Sequence, residues 1–154
     1  FFYTCFMDIN EYARGYEAAT KYFADRVAGL SDSDLDRSRP GEWSPRQVIH
    51  HVADSEAQSY ARLRRLIAEP AGSAIQGYDE AGWGKNQTLG YKELPIANSL
   101  AVYLAVRASS LDIIKRLKME DLERYGEHTE RGRYTVQHWL EVYTRHPLDH
   151  VEQI

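Results

Sequence analysis

The sequence predicts an all-α protein, a four-helix bundle with a long loop between its second and third helices. Apolar residues recur every three or four positions in four long stretches, which is the spacing of residues on one face of a helix. Polar or glycine-containing segments separate these stretches. No stretch has a convincing alternation of apolar and polar residues, as half-buried strands do. Long amphipathic segments without strands are typical of helical bundles.

The first helix is expected at about residues 10–30. Tyr16, Phe23 and Val27 belong to its apolar face, because their spacings are those of a helix. Residues 31–42 follow as a polar, turn-rich segment. A proline and a glycine at positions 40 and 41 disfavour a helix there.

The second helix has the clearest start in the sequence. Ser44 suits the N-cap, Pro45 suits the first helical position, and Gln47 stands three residues after the cap, as in a capping box. The apolar pattern then continues to about Ala68. We therefore expect this helix to begin at the cap and to end near that alanine.

The second half of the chain contains a long connection and two further helices. Residues 69–93 form a loop whose length is typical of a functional or partly helical segment. The third helix is expected to begin at Pro95 and to end near Met119. Residues 120–134 are polar and suit a turn or a short hairpin. Thr135 suits the N-cap of a last helix that reaches the C-terminus.

Length and cysteine content indicate the organisation of the chain. A chain of 154 residues suits one domain, which we place at residues 7–154. We interpret residues 1–6 as an upstream or expression-derived segment, because they are too few for a secretory signal. Cys5, the only cysteine, then has no functional role, and a lone cysteine forms no intrachain disulfide. This composition fits a reducing compartment, so we expect a cytoplasmic protein.

Charge and hydropathy limit the classes of partner. The net charge of −4 argues against a nucleic-acid-binding surface, which needs a concentrated basic face. No apolar run approaches the roughly 18 residues of a membrane-spanning helix. Neither nucleic acid nor a membrane is therefore an expected partner.

Two histidines on the last helix form a candidate metal-binding pair. His146 and His150 are four residues apart, so both rings project from one face of the helix. This spacing lets two imidazoles bind one ion, as paired histidines do in helical zinc sites. The alternative is a pair of solvated histidines near the chain end. Pro147 lies between them, removes one backbone N–H and is expected to kink the helix.

A third ligand should come from another helix, because metal sites in bundles are built from facing helices. On the second helix, the apolar stripe is centred near Val52 and Ser59. At about 100° per residue, His51 lies at the edge of that stripe, whereas His50 lies about 160° from its centre, on the solvent side. The geometry favours His51 as the ligand. The alternative is a boundary histidine that is hydrogen-bonded to a carboxylate.

Two other histidines are expected outside the site. His138 precedes His146 by eight residues and lies about 80° further around the helix, so we place it at the surface or beside the site. His128 stands in a polar segment with acidic neighbours, and we expect it to be solvated.

Three motifs, in order along the chain, resemble the DinB-like superfamily. Residues 41–55, GEWSPRQVIHHVADS, are similar to the family's Trp-Ser…His-His-x-x-Asp-Ser opening of the second helix. Residues 78–83, YDEAGW, are similar to a segment of the subgroup that includes bacillithiol S-transferases and YfiT-type metal hydrolases. Residues 135–154 resemble the family's terminal helix. Three motifs in this order are more specific than any one of them.

The resemblance implies a bundle that holds a metal through three histidines, one on the second helix and two on the fourth. Carried over to this sequence, the ligands are His51, His146 and His150. Three imidazoles leave a divalent ion an open position, which is the pattern of catalytic sites. Zinc is the expected ion, and nickel or iron also suit imidazole ligands.

The resemblance also implies the chemistry. The expected function is that of a metal-dependent transferase or hydrolase, in which a low-molecular-weight thiol, or water, attacks an electrophile; an isomerase with the same chemistry is a further possibility. The alternative is a non-enzymatic, stress-associated metal-binding bundle or a dimerisation module. The resemblance also implies a small-molecule substrate and allows a homodimer. One position departs from the family, because Glu56 stands where related sequences often carry histidine.

Several neighbours of these ligands are candidates for supporting roles. Asp54 and Ser55, about one turn from His51, could orient an imidazole N–H. The alternative for Asp54 is a solvent-facing helix charge. The candidates for the mouth of a substrate pocket are Tyr78, Asp79 and Trp83. The alternative for the tryptophan is that it packs the long loop against the bundle.

Overall fold

The structure, a computed structural model, describes residues 7–154. The interpretation of residues 1–6 as an upstream segment, and of Cys5 as functionless, lies outside the described residues.

The described chain is a four-helix bundle, as predicted. Its six α-helices, in chain order, are α1 (Ile9–Ala28), α2 (Asp32–Leu35), α3 (Pro45–Ala68), α4 (Glu80–Lys85), α5 (Ala97–Ile114) and α6 (Val136–Val151). The four long helices of the bundle are α1, α3, α5 and α6. Helix α5 is shorter at both ends than predicted, because its first turn begins two residues after Pro95 and its C-terminal extension leads into a 3₁₀ helix (Met119–Glu123).

The long helices pack in an order that differs from their order in the chain. Helix α1 packs against α5 and α6, and α3 packs against the same two helices. Consecutive long helices α1 and α3 therefore lie on a diagonal of the bundle. As a result, α3 and α6 are neighbours although about 80 residues separate them, and side chains from both can meet.

The predicted helix starts are present, because short polar side chains satisfy backbone N–H groups there. Ser44 accepts a hydrogen bond from the Gln47 N–H, and the Gln47 side chain accepts one from the Ser44 N–H, so the capping box at α3 is confirmed. Thr135 accepts from the N–H of His138 at the start of α6.

A small sheet covers one end of the bundle, and the sequence analysis anticipated only part of it. Strand β1 (Ala74–Ile75) pairs in parallel with β2 (Tyr125–His128), and β2 pairs antiparallel with β3 (Gly132–Thr135). The hairpin predicted within residues 120–134 is thus confirmed. The expectation of no strands is wrong, because strands of two to four residues are too short to show an alternation. Gly126 lets β1 approach, since a Cβ there would lie 2.6 Å from the Ser73 carbonyl oxygen.

Two clusters of buried apolar side chains form the core, and each has members from all four long helices. The largest fully buried side chains include aromatic residues from three of the long helices, among them Tyr16, Tyr103 and Trp139. Within residues 7–154, no helix combines the length and the hydrophobicity that crossing a membrane requires.

Candidate metal centre

Three histidines meet between α3 and α6. His51 comes from α3, and His146 and His150 come from α6. One ring nitrogen from each lies within 4.8 Å of the other two. The two histidines of α6 are closest, with 3.1 Å between their Nε2 atoms. The structure therefore brings together the three residues that the sequence analysis named.

The spacing of these nitrogens determines whether one ion can bind all three. Two nitrogen ligands bound at about 2.0–2.1 Å to a tetrahedral ion lie about 3.3 Å apart. The 3.1 Å between His146 and His150 is close to that value. The larger separations, up to 4.8 Å, are within reach of a small rotation of one ring. The cluster thus fits a divalent ion with three neutral nitrogen ligands.

Burial lowers the pKa of two of these histidines and leaves a ring nitrogen of each without a hydrogen-bond partner. His51 is 3% exposed, and the Nδ1 atoms of His51 and His146 are buried without a hydrogen-bond partner among residues 7–154. Burial, and secondarily His150, lowers the pKa of His51 to about 4. Burial, with His150, His51 and Arg107 adding to it, also lowers the pKa of His146 well below its ordinary value. Both rings are therefore neutral at neutral pH, which is the form that binds metals.

A glutamine fixes the third ring. The side-chain oxygen of Gln153 accepts a hydrogen bond from Nδ1 of His150 at 2.7 Å. This hydrogen bond places the proton on Nδ1 and leaves the lone pair on Nε2, which faces His146. Gln153 was not among the predicted site residues, although it lies only three residues after His150, just beyond the end of α6.

The cluster opens into a cavity of about 560 Å³. His51 and His150 line it, and the Trp43 ring forms a wall with its centroid 5.2 Å from the His51 ring. The charged residues around the cavity are Arg39, Glu42, Glu80 and Glu152. The site therefore combines a cluster of histidine nitrogens, an aromatic wall and a mainly acidic rim.

The predicted residues of the pocket mouth do not line this cavity. Tyr78 and Trp83 pack against each other, with ring centroids 4.7 Å apart, and the Asp79 carboxylate caps α4 by accepting from the Gly82 N–H. Helix α4 instead packs against the Trp43 ring that forms the wall of the cavity. A Cβ at Gly84 would lie 2.5 Å from the Trp43 ring, so only glycine lets the two pack so closely.

The roles predicted for Asp54 and Ser55 are not those found. The Asp54 carboxylate accepts a hydrogen bond from the Tyr91 hydroxyl, and neither residue is hydrogen-bonded to a site histidine. Ser55 is buried in α3. The alternative for His51, a histidine bonded to a carboxylate, is also wrong, because no carboxylate among the described residues bonds to its ring.

Two of the other histidines are buried, contrary to prediction. His50 is 5% exposed, and its ring nitrogens lie 2.7 Å from the Ser99 hydroxyl and 3.0 Å from the Leu94 carbonyl oxygen. A helical wheel with a single buried face places His50 at the surface. In the structure, α5 and the segment before it cover this side of α3 as well. His128 is 6% exposed because it lies in β2, and burial lowers its pKa. His138 is exposed, as predicted.

The sequence analysis missed a buried ion pair beneath the histidines. Glu56 of α3 and Arg107 of α5 are both 0% exposed, with 2.6 Å between the carboxylate and the guanidinium. The other carboxylate oxygen of Glu56 accepts from the Ser59 hydroxyl at 2.9 Å. The one available signal was that Arg107 is the only basic residue of α5.

Comparison with known proteins places the fold and the site in context. The sequence profile of the DinB superfamily matches residues 16–154. A relative from Oceanobacillus iheyensis is 33% identical over 147 residues, which are 95% of this chain and 83% of the relative. One from Bacillus cereus is 30% identical over 129 residues, 83% of this chain and 72% of the relative. Both carry the name "putative metal-dependent hydrolase".

A solved structure agrees with this relationship. YfiT from Bacillus subtilis superposes with a TM-score of 0.84 and 26% identity, over 95% of this chain and 83% of its own. It is described as a probable metal-dependent hydrolase with an unusual four-helix bundle topology.

Proposed function

This chain belongs to the DinB superfamily, and on that premise we propose that it is a metal-dependent enzyme. In this proposal His51, His146 and His150 hold one divalent ion. The reaction is the attack of a nucleophile, either water or the thiol of a small cosubstrate, on a small electrophilic substrate. The chain is then a hydrolase in the first case and a thiol transferase in the second.

The convergence of three histidine nitrogens within 4.8 Å, at the floor of an open cavity, carries the proposal. Buried polar nitrogens without partners are rare in folded proteins, because leaving them unpaired costs about 1–3 kcal/mol each. An ion that takes one nitrogen lone pair from each ring accounts for the convergence of the three histidines in one place. The names of the relatives support the same reading.

The protein's own groups define what the site can do. A divalent ion bound there would supply a Lewis acid that makes water or a thiol more acidic. The three imidazoles contribute no charge, and they leave the side toward the cavity free for a substrate. Trp43 shields His51 from solvent on one side of the cavity. Zinc is the proposed ion, and nickel or iron suit the same ligands. The thiol cosubstrate is supported by family resemblance.

Elemental analysis of tag-free protein tests the proposal. We expect about one equivalent of zinc, nickel or iron in the wild type and none in the variant His51→Ala/His146→Ala. The matched control is His138→Ala, since this histidine lies on the same helix but is exposed, and it should keep the metal. Absence of metal in the wild type, with no uptake on titration, would reject the metal centre.

The loaded protein then separates the reaction classes. Hydrolysis of ester or amide substrates without added thiol identifies a hydrolase, whereas consumption of a thiol with an electrophile identifies a transferase. If metal binds but no reaction occurs, and circular dichroism shows that the His51→Ala protein unfolds, the metal has a structural role. That outcome would favour a non-enzymatic metal-binding bundle.

A further inference from the structure

We propose that the buried pair Glu56–Arg107 is a positioning device for the metal centre. In this inference the pair fixes α6 against α3, and thereby sets the distance of His146 and His150 from His51. The inference rests on the proposed metal site and assigns to it two residues outside the ligand set.

Arg107 contacts all four long helices from a position inside the bundle. The guanidinium belongs to α5 and donates to the Thr20 hydroxyl at 2.5 Å and to the Tyr16 carbonyl at 3.0 Å, both in α1. It donates to Glu56 in α3 at 2.6 Å and to the Tyr143 carbonyl in α6 at 2.8 Å. It also lies over the Tyr16 ring, 3.7 Å from the centroid. One side chain thus connects every helix of the bundle.

The contact with α6 is at the carbonyl that Pro147 leaves without its helical partner. In a regular helix the Tyr143 carbonyl would accept from the N–H four residues later, but a proline at that position has no N–H. Arg107 supplies the missing donor through Nη1. The same nitrogen donates to Glu56, so a single atom joins the α6 backbone to an α3 side chain.

This bridge lies directly beneath the proposed ligands. Glu56 follows His51 by five residues, about 7.5 Å along α3, and Tyr143 precedes His146 by one turn of α6. The helices that carry the ligands are therefore joined about one turn away from them. Pro147 itself stands between the two ligands of α6, where the helix lacks an internal hydrogen bond to fix its course.

Stability alone does not explain such a pair. Buried ion pairs can often be replaced by apolar residues of similar size without loss of stability, because desolvating two charges offsets their attraction. A guanidinium, by contrast, donates in several fixed directions at once, which a lysine or an apolar residue cannot do. The arrangement is therefore suited to fixing geometry.

The test compares metal affinity with stability in the variant Glu56→Met/Arg107→Met. Removing both charges avoids leaving either one buried and unpaired, so we expect the variant to remain folded by circular dichroism. We expect its affinity for Zn²⁺, measured by chelator competition, to fall by about 10–100-fold, as for other changes in residues that orient metal ligands. The visible spectrum of bound Co²⁺ should change too, because the ligand geometry is altered.

Two further variants separate positioning from general destabilisation. Ile114→Ala removes a buried side chain near the C-terminal end of α5 and should lower Tm while leaving Zn²⁺ affinity and the Co²⁺ spectrum unchanged. The substitution Pro147→Ala returns an N–H to the Tyr143 carbonyl. In that background, the loss caused by Glu56→Met/Arg107→Met should be smaller.

Each outcome is decisive. Unchanged Zn²⁺ affinity and an unchanged Co²⁺ spectrum in the double methionine variant would overturn the inference while leaving the metal centre in place. An equal loss of affinity in the Pro147→Ala background would overturn the role of the Tyr143 carbonyl. A wild type that binds no metal would reject the proposed function itself, and the inference with it.

Discussion

Two buried polar clusters lie next to each other in this bundle, and they differ in how their polar atoms are satisfied. Around Arg107 and Glu56, hydrogen bonds reach all four long helices, and both carboxylate oxygens have partners. At the three histidines, one nitrogen of His51 and one of His146 have none among residues 7–154. Both clusters include residues of α3, only five positions apart.

We interpret the first cluster as part of what holds the fold together and the second as the proposed ligand site. A satisfied buried network contributes to a unique packing, and breaking it leaves charges or carbonyls exposed to an apolar interior. An unsatisfied cluster is unfavourable in the protein alone and becomes favourable when something binds it. Substitutions that leave one member of the Glu56–Arg107 pair buried without its partner should therefore harm stability. Substitutions at the histidines should harm metal binding with little effect on stability.

The largest expected effect is on stability at the ion pair. Arg107→Ala should lower the free energy of unfolding by about 3–5 kcal/mol, because Glu56 would remain buried without its partner. Urea denaturation measures this change. The control is Arg145→Ala, which removes an exposed ion pair with Asp149 and should change stability by no more than about 1 kcal/mol. Similar small losses in both variants would contradict the comparison.

A smaller effect is expected from pH at the histidines of the metal-free protein. The pKa of His51 is about 4 in the folded state, against about 6.5 when unfolded. Between these values the unfolded state binds a proton that the folded state does not, so stability is full above pH 6.5 and falls as pH decreases toward 4. His146 acts in the same direction.

The contribution of His51 is the difference between the pH dependence of stability in the wild type and that in a variant without this histidine. Urea denaturation at pH 7 and pH 4.5 should show a decrease larger by roughly 1–2 kcal/mol in the wild type than in His51→Leu. Taking the difference removes contributions from groups that titrate in both proteins. Parallel pH profiles would mean that His51 is not kept neutral by burial.

The smallest expected effect on stability is that of His51→Leu at pH 7 without metal. It removes a buried nitrogen that has no partner and keeps an apolar side chain of similar size, so the change should stay within about 1 kcal/mol. Added Zn²⁺ should raise Tm in the wild type and not in this variant. The same substitution at Glu56, five residues later, should cost several times more. Equal losses in the free energy of unfolding at the two positions would contradict the distinction between the two clusters.

Much of the fold was predictable because its signals are local. The capping box at Ser44, the cap at Thr135 and the helical spacing of apolar residues each act within a few positions, and the structure has them where the sequence places them. The convergence of His51 with His146 and His150 was predictable from a helical wheel, the spacing of four and the family resemblance. Their binding of metal stays a prediction.

The rest depends on contacts between distant segments. The hydrogen-bond partners of Arg107 lie 36 to 91 residues away in the chain. Its position as the only basic residue of α5 therefore could not predict which groups it would contact. The cavity is lined by residues near positions 40, 80 and 152, which meet only when the loops fold over the bundle end. His50 was placed at the surface because a single-stripe wheel cannot show that a second helix covers the opposite side of α3.

The guanidinium of Arg107 also has a consequence for how the molecule opens. Since it bonds to groups on α1, α3 and α6, withdrawing any one of those helices would break part of this network and admit water to a charge in the interior. Partial opening is therefore almost as unfavourable as complete opening for the four long helices. The four long helices are therefore bound into one cooperative unit.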